Sequence, residues 1–148
     1  MENQTNYFIG VVSLEHAKRG YEGSFTQACH GKKSPLMRMK KGDWFVQYSP
    51  KMTLTSKDPY QKFSFIGEVS GNAPYQVELS PNFNPYRIDI AYIDTKKALP
   101  FAIKNLIQNL SFIKNKQRWG MSFRFGFLKI PKQDFQLIYH AMTGKKLA

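Results

Sequence analysis

Tyr7–Ser13 is a short apolar run rich in Val and Ile, the pattern of a buried first strand. Ser13 then opens a short polar helical stretch ending at Gly20, with Glu15 in the first turn where the helix dipole favours an acid. From Gly20 to Pro35 the chain carries Gly20, Gly23 and Gly31 and little periodicity, which predicts a long loop. Loops of that length inside a compact domain tend to be functional. Gly42-Asp43 predicts a turn into a strand over Trp44–Tyr48 that Pro50 ends, and Phe63–Val69 predicts another strand before a turn at Gly71-Asn72. In Tyr86–Ile93 the alternation is clean, with Tyr86, Ile88, Ile90 and Tyr92 on one face and Arg87 and Asp89 on the other. Ile103, Leu106, Ile107 and Leu110 follow Pro100 at the i, i+3, i+4, i+7 spacing of a helix. Met121–Ile130 alternates again, with Phe123, Phe125 and Phe127 on one side, and Phe135, Ile138, Tyr139 and Met142 predict a last helix stopped at Gly144.

Strands thus dominate, with a few short helices between and after them. That order predicts an α+β fold, a small bent or closed β-sheet with helices packed outside it. There is no fixed-period repeat, and no glycine-rich phosphate loop of a doubly wound fold. The chain has 148 residues, 42% hydrophobic and 22% charged, the size and balance of a single domain spanning 1–148. Its lone cysteine, Cys29, forbids an internal disulfide and suits a reducing compartment, so a cytoplasmic location is expected. The N-terminus lacks a signal-peptide pattern, and no stretch approaches the ~18 apolar residues of a membrane span.

Charge changes the picture. The formal net charge is +12, and from Phe101 onward nine Lys/Arg face a single acid, Asp134. A field of one sign concentrates polyanions, which makes nucleic acid the natural first partner. Aromatic residues make up 15% of the chain, and rings beside cations are what a protein needs to hold an unstacked base. Phe63, Phe65 and Phe125 lie in predicted strands and read as core, whereas Phe25, Trp44, Tyr48, Tyr60 and Trp119 lie beside turns and polar neighbours. Three His and one Cys cannot build a zinc site of the usual spacing, and the ten acids form no cluster for a two-metal nuclease, so neither metal nor cofactor is expected. Cys29, His30 and Lys32 would be the actors of an alternative reading, a small hydrolase or transferase acting on a nucleoside-like molecule. Against it, neighbours on an extended chain point to opposite faces, which separates Cys29 from His30.

Several strings taken together resemble the bacterial EVE domain family. They are Tyr7-Phe8-Ile9-Gly10-Val11-Val12-Ser13 with Glu15-His16, then Phe25, Gln27 and Cys29-His30-Gly31-Lys32, then Pro35-Leu36 and Arg38-Met39. Further along come Gly42-Asp43-Trp44, Tyr48-Ser49-Pro50, Gln61, Phe63, Ile66-Gly67-Glu68-Val69, Pro85-Tyr86-Arg87, and Gly120-Met121-Ser122-Phe123-Arg124 with Gly126. The resemblance implies a PUA-like twisted β-barrel with short helices outside it, related to YTH domains, and a non-catalytic pocket for a modified, flipped base in DNA or RNA. It nominates Ser13, His16, Gln27, His30, Lys32, Tyr48, Ser49 and Pro50 for that pocket, with Trp119 and Phe123 across the barrel. Tyr48 and Trp119 would stack on the base, Ser13, Gln27 and His30 would read its edge, and Lys32, Lys51 and Arg124 would hold phosphates. Some relatives are fused to nucleases of restriction systems, which implies a nuclease as a partner. Each nominee also has a plainer reading: Ser13 as a helix cap, His16 as a solvated helix residue, Pro50 as a strand terminator, Trp119 as packing. Phe8 stands where the family often carries Trp, which leaves either less stacking area or a core residue there.

Overall fold

The computed structural model describes residues 4–147. The first strand, β1 (Tyr7–Val11), divides its side chains between two cores: Tyr7 and Ile9 enter one, Phe8 the other. It lies parallel to β3 (Trp44–Lys51) and antiparallel to β8 (Phe127–Ile130). On its other side β3 pairs antiparallel with β4 (Pro59–Val69), which pairs with β6 (Tyr86–Tyr92), which pairs with the short β2 (Phe25–Thr26). The resulting mixed sheet runs β2-β6-β4-β3-β1-β8, with β5 (Tyr75–Gln76) beside β6 and β7 (Phe101–Ala102) beside β4. Two register shifts in the β3–β4 pairing, at Gln47/Tyr48 and Ser49/Lys51, add local bend of the kind bulges produce.

The sheet is curled. One face carries Phe8, Phe45, Val69, Ile88, Ile90 and Phe127, which close on one another and on Ala28, Leu36 and Met39. The opposite face carries Tyr7, Ile9, Val46, Tyr48, Phe63 and Ile66 and is covered by the chain after β7 and by α3 (Lys132–Thr143), through Phe135, Ile138 and Met142. Another helix, α1 (Leu14–Gly23), closes one end by setting Leu14 and Ala17 on Phe65. The two ends of the strand order meet across a seam. There the Cys29 thiol, just past β2, donates to the carbonyl of Phe125, just before β8, at 3.3 Å.

Four local readings are corrected. The first helix does not stop at Gly20 but continues to Gly23, and Ser24 caps it with a left-handed φ of 57°. Gly20 is instead a close-packing position, since a Cβ there would stand 2.6 Å from the Phe25 carbonyl oxygen. The expected long loop contains β2 and a one-turn helix, α2 (Lys33–Leu36). After Pro100 the chain pairs with β4 through β7 and then forms a 3₁₀ turn, Ile103–Asn105, rather than an α-helix. The four apolar residues are buried all the same, because 3₁₀ turns also bring i and i+3 together. Asp134, 1% exposed, fixes that irregular path: its carboxylate accepts from the Ser111 and Phe112 amides at 3.0 and 2.9 Å and from the Ser111 hydroxyl. Finally, the expected strand over Met121–Ile130 begins only at Phe127, after a 3₁₀ helix over Trp119–Phe123 and a turn through Gly126 at φ 79°.

Candidate functional site

At the seam lies a cleft of about 690 Å³, a volume suited to a planar heterocycle with its substituents. Its walls come from the end of β1, α1, the segment 25–32 and the turn Arg124–Gly126. Four cations line it, Arg19, Lys32, Arg87 and Arg124, with His16 and His30, and none of its lining residues is an Asp or Glu. Apolar groups at its rim include Phe83, Leu54, Leu79 and Phe125, all exposed.

The loop beneath the cleft is held in a narrow geometry. Cys29, His30 and Gly31 adopt consecutive left-handed φ angles of 48°, 63° and 87°. For the two non-glycine residues that conformation costs about 1 kcal/mol each. Contacts offset it: the Ala28 carbonyl accepts from the amides of Gly31 and Lys32, the Tyr86 amide donates to the Gly31 carbonyl at 2.9 Å, and the Cys29 thiol engages Phe125. Gly31 must be glycine for space as well as φ, because a Cβ would lie 2.6 Å from Pro85 Cβ. This segment is not extended, so the expectation that Cys29 and His30 point to opposite faces does not apply.

Arg87 is the most constrained of the four cations. Its guanidinium carbon lies 3.8 Å from the Phe25 ring centroid and its Nε donates to Gln27 Oε1 at 2.8 Å, so a planar donor group is pre-set in the cleft wall. Behind Gln27 a second layer runs from Gln47 on β3. The Gln47 Nε2 donates to Thr26 Oγ1 at 2.8 Å and to the Tyr92 hydroxyl at 3.4 Å. Thr26 and Tyr92 give their own protons to the carbonyls of Gln27 and Phe25. Both hydroxyls therefore present only lone pairs to Gln47, which sets its amide with Nε2 toward them and leaves Oε1 buried without a partner. Burial pushes the Tyr92 phenol pKa up, so this layer stays neutral.

Of the residues nominated from sequence, Ser13, His16, Gln27, His30, Lys32 and Arg124 line the cleft. Ser13 also accepts from the His16 amide as the cap of α1. Six others do not line it. Tyr48 is 2% exposed on the face of β3 turned toward α3, its ring stacked on Phe123 at 4.4 Å, and burial pushes its phenol pKa up. Phe123 is buried with it. Ser49 is buried with its hydroxyl 2.8 Å from that of Ser64. Trp119 packs edge-on to Phe123, Pro50 does not end β3 but lies within it, one residue before its last, and the Lys51 ammonium donates to the Leu54 carbonyl. Phe8 is core, stacked on Phe127 at 5.4 Å. Phe25, singled out as a ring beside a turn, does line the cleft, whereas Arg87, Gln47 and Arg19 were not nominated. A glutamine inside the apolar run Trp44–Tyr48 was the readable signal for Gln47.

A curled mixed sheet with short helices around it, with a basic, ring-edged cleft at its seam, makes this an α+β domain of the kind expected for a PUA-like fold. The chain belongs to the EVE domain family, whose model matches residues 6–141. It is 47% identical over 132 residues to a Bacillus licheniformis protein called "UPF0310 protein in gntR 5'region", spanning 89% of this chain and 88% of that one. In structure it is similar to the YTH domain of Zygosaccharomyces rouxii MRB1 protein, solved in complex with N6-methyladenosine RNA, at a TM-score of 0.59 and 13% identity, covering 99% of this chain and 90% of that one. Protein Atu2648 from Agrobacterium tumefaciens gives a TM-score of 0.57 at 14% identity, covering 97% and 99%. Among the described residues no three His, Cys, Asp or Glu side chains are grouped to hold a metal ion, and no helix is long and apolar enough to cross a membrane.

Proposed function

We propose that this domain binds DNA or RNA carrying a modified base and holds that base, turned out of its stack, in the seam cleft. The carrying observation is the cleft itself: about 690 Å³, edged by Phe25, Phe83 and Phe125, with four cations and no acid among its lining residues. The exposed rings Phe83 and Phe125 offer faces for stacking, the fixed Arg87 and Gln27 with Ser13 and His30 offer donors and acceptors for a base edge, and Lys32 and Arg124 lie where flanking phosphates would pass. The fold shared with a YTH domain solved in complex with N6-methyladenosine RNA supports this reading. Binding alone is assigned to these residues, so a nuclease acting with the domain would be a separate unit. The lone Cys29, bonded only through its thiol hydrogen to a carbonyl, suits a reducing cytoplasm.

The test is a binding screen of plain, cytosine-methylated and adenine-methylated oligonucleotides, single- and double-stranded, at fixed salt and then across a salt series. One modification should bind more tightly than its plain counterpart, and affinity should fall steeply with salt as counterions are released. Affinity that is flat with salt, or equal for every base, refutes the proposal.

A further inference from the structure

Beyond the cleft, a shallower depression of about 260 Å³ is bordered by Ser34, Pro35, Arg38, Phe127, Cys29 and Phe125. Cys29 and Phe125 border the main cleft as well, so the two cavities adjoin and the Phe125 ring stands between them. Phe125 is 73% exposed, more than any other large apolar side chain described, with the Arg124 guanidinium 4.8 Å from its ring centroid. In the core prediction from alternation this ring has no explanation, since it packs into neither face of the sheet. On the far side Arg38 lies over two rings, 5.9 Å from Phe8 and 5.7 Å from Phe127. Among the described residues no carboxylate pairs with Arg38 or Arg124; the ion pairs are Arg19–Glu15 and Lys40–Asp43. A cation held in place by rings and left without an acid is an anion contact in waiting.

We infer that the depression is a second nucleotide subsite. The nucleotide next to the captured base sets its face on Phe125 and its phosphate on Arg38, and the strand crosses Phe125 from one cavity to the other. This inference rests on the base-capture reading above and adds to it a direction for the polymer and a second position of contact. Turning a base out of its stack strips its neighbour of a partner, and an exposed ring beside the cleft replaces that partner without regard to sequence.

The experiment compares a free methylated nucleoside with short single-stranded oligonucleotides that carry the same base centrally, for the wild type, Arg38→Gln and Phe125→Ala, each checked for an unchanged thermal melt. Arg38 lies outside the cleft, so Arg38→Gln should leave nucleoside affinity unchanged, weaken the oligonucleotide, and reduce its log–log salt slope by about 0.7. Phe125→Ala should cost the oligonucleotide about tenfold more than it costs the nucleoside, the scale of one lost stack. Wild-type binding of both probes with neither variant separating them overturns the second subsite and leaves base capture standing. Failure of the wild type to bind any nucleoside or oligonucleotide of the panel overturns both.

Discussion

Gln47→Met removes a buried amide and should leave the folded state almost as stable as before. Gln47 is 2% exposed, makes two neutral hydrogen bonds through Nε2, and buries Oε1 with no partner. Losing the two bonds costs about 0.5–1.5 kcal/mol each, the longer one at the lower end. Removing an orphaned buried carbonyl returns about 1–3 kcal/mol, and methionine has nearly the same length and fills the same space. Thr26 and Tyr92 keep their donor partners in the backbone, so the substitution strands no hydrogen-bond donor. The balance is about zero, within ~1 kcal/mol either way. Urea unfolding followed by circular dichroism reads it as an unshifted midpoint at constant slope. The same variant loosens Thr26 and, next to it, the Gln27 that orients Arg87, so oligonucleotide affinity should fall about 3- to 10-fold, the scale of one hydrogen bond. A loss of ~3 kcal/mol or more in stability would refute the reasoning, because it would mean that Oε1 is satisfied in solution.

Asp134→Ala should destabilise the domain by about 2–4 kcal/mol in the same assay, since it abandons the backbone amides of Ser111 and Phe112, whereas Ser111→Ala should cost only about 1 kcal/mol. Arg87→Lys should weaken oligonucleotide binding at an unchanged salt slope, because an ammonium cannot at once lie flat on Phe25 and bond Gln27, whereas Lys32→Gln, which removes a phosphate contact, should lower the slope on duplex DNA by about 0.9. Burial raises the phenol pKa of Tyr48 and Tyr92 above the ordinary 10.0, so the native state keeps protons that the unfolded chain gives up. Stability is thus complete below pH 10 and declines above it, and their phenolate absorbance should appear only with loss of the circular dichroism signal; phenolate formation by all eight tyrosines in a still-folded protein contradicts this.

Alternation made β1, β3, β4, β6 and α3 readable, because each has one or two apolar faces that a period of two or 3.6 reveals. It could not say which face the C-terminal segment would cover. Tyr48 and Gln47 are neighbours on one strand, yet the first is sealed under Phe123 and the second backs the cleft, a difference set by residues roughly eighty positions away in sequence. The flanking chemistry of Tyr48, beside Ser49 and Pro50, suggested an accessible ring, but β3 is central and buried on both sides, so polar neighbours there mark internal hydrogen bonds. The run Met121–Ile130 failed for a related reason: Phe123 and Phe127 serve different cores, and Phe125 between them serves neither. What the resemblance nominated in the segment 25–32 does meet at the cleft, since that loop's backbone angles and not its pairing decide where its side chains go.

Every other boundary in this sheet is a ladder of amides and carbonyls, stiff against stretching. The line between Cys29 and Phe125 is different: among the described residues one thiol-to-carbonyl bond crosses it. A base held in the cleft as proposed above would therefore sit against the most compliant edge of the domain, with rigidity kept elsewhere. A slightly larger guest can be admitted by parting that edge a fraction of an ångström, and no strand need change its neighbour.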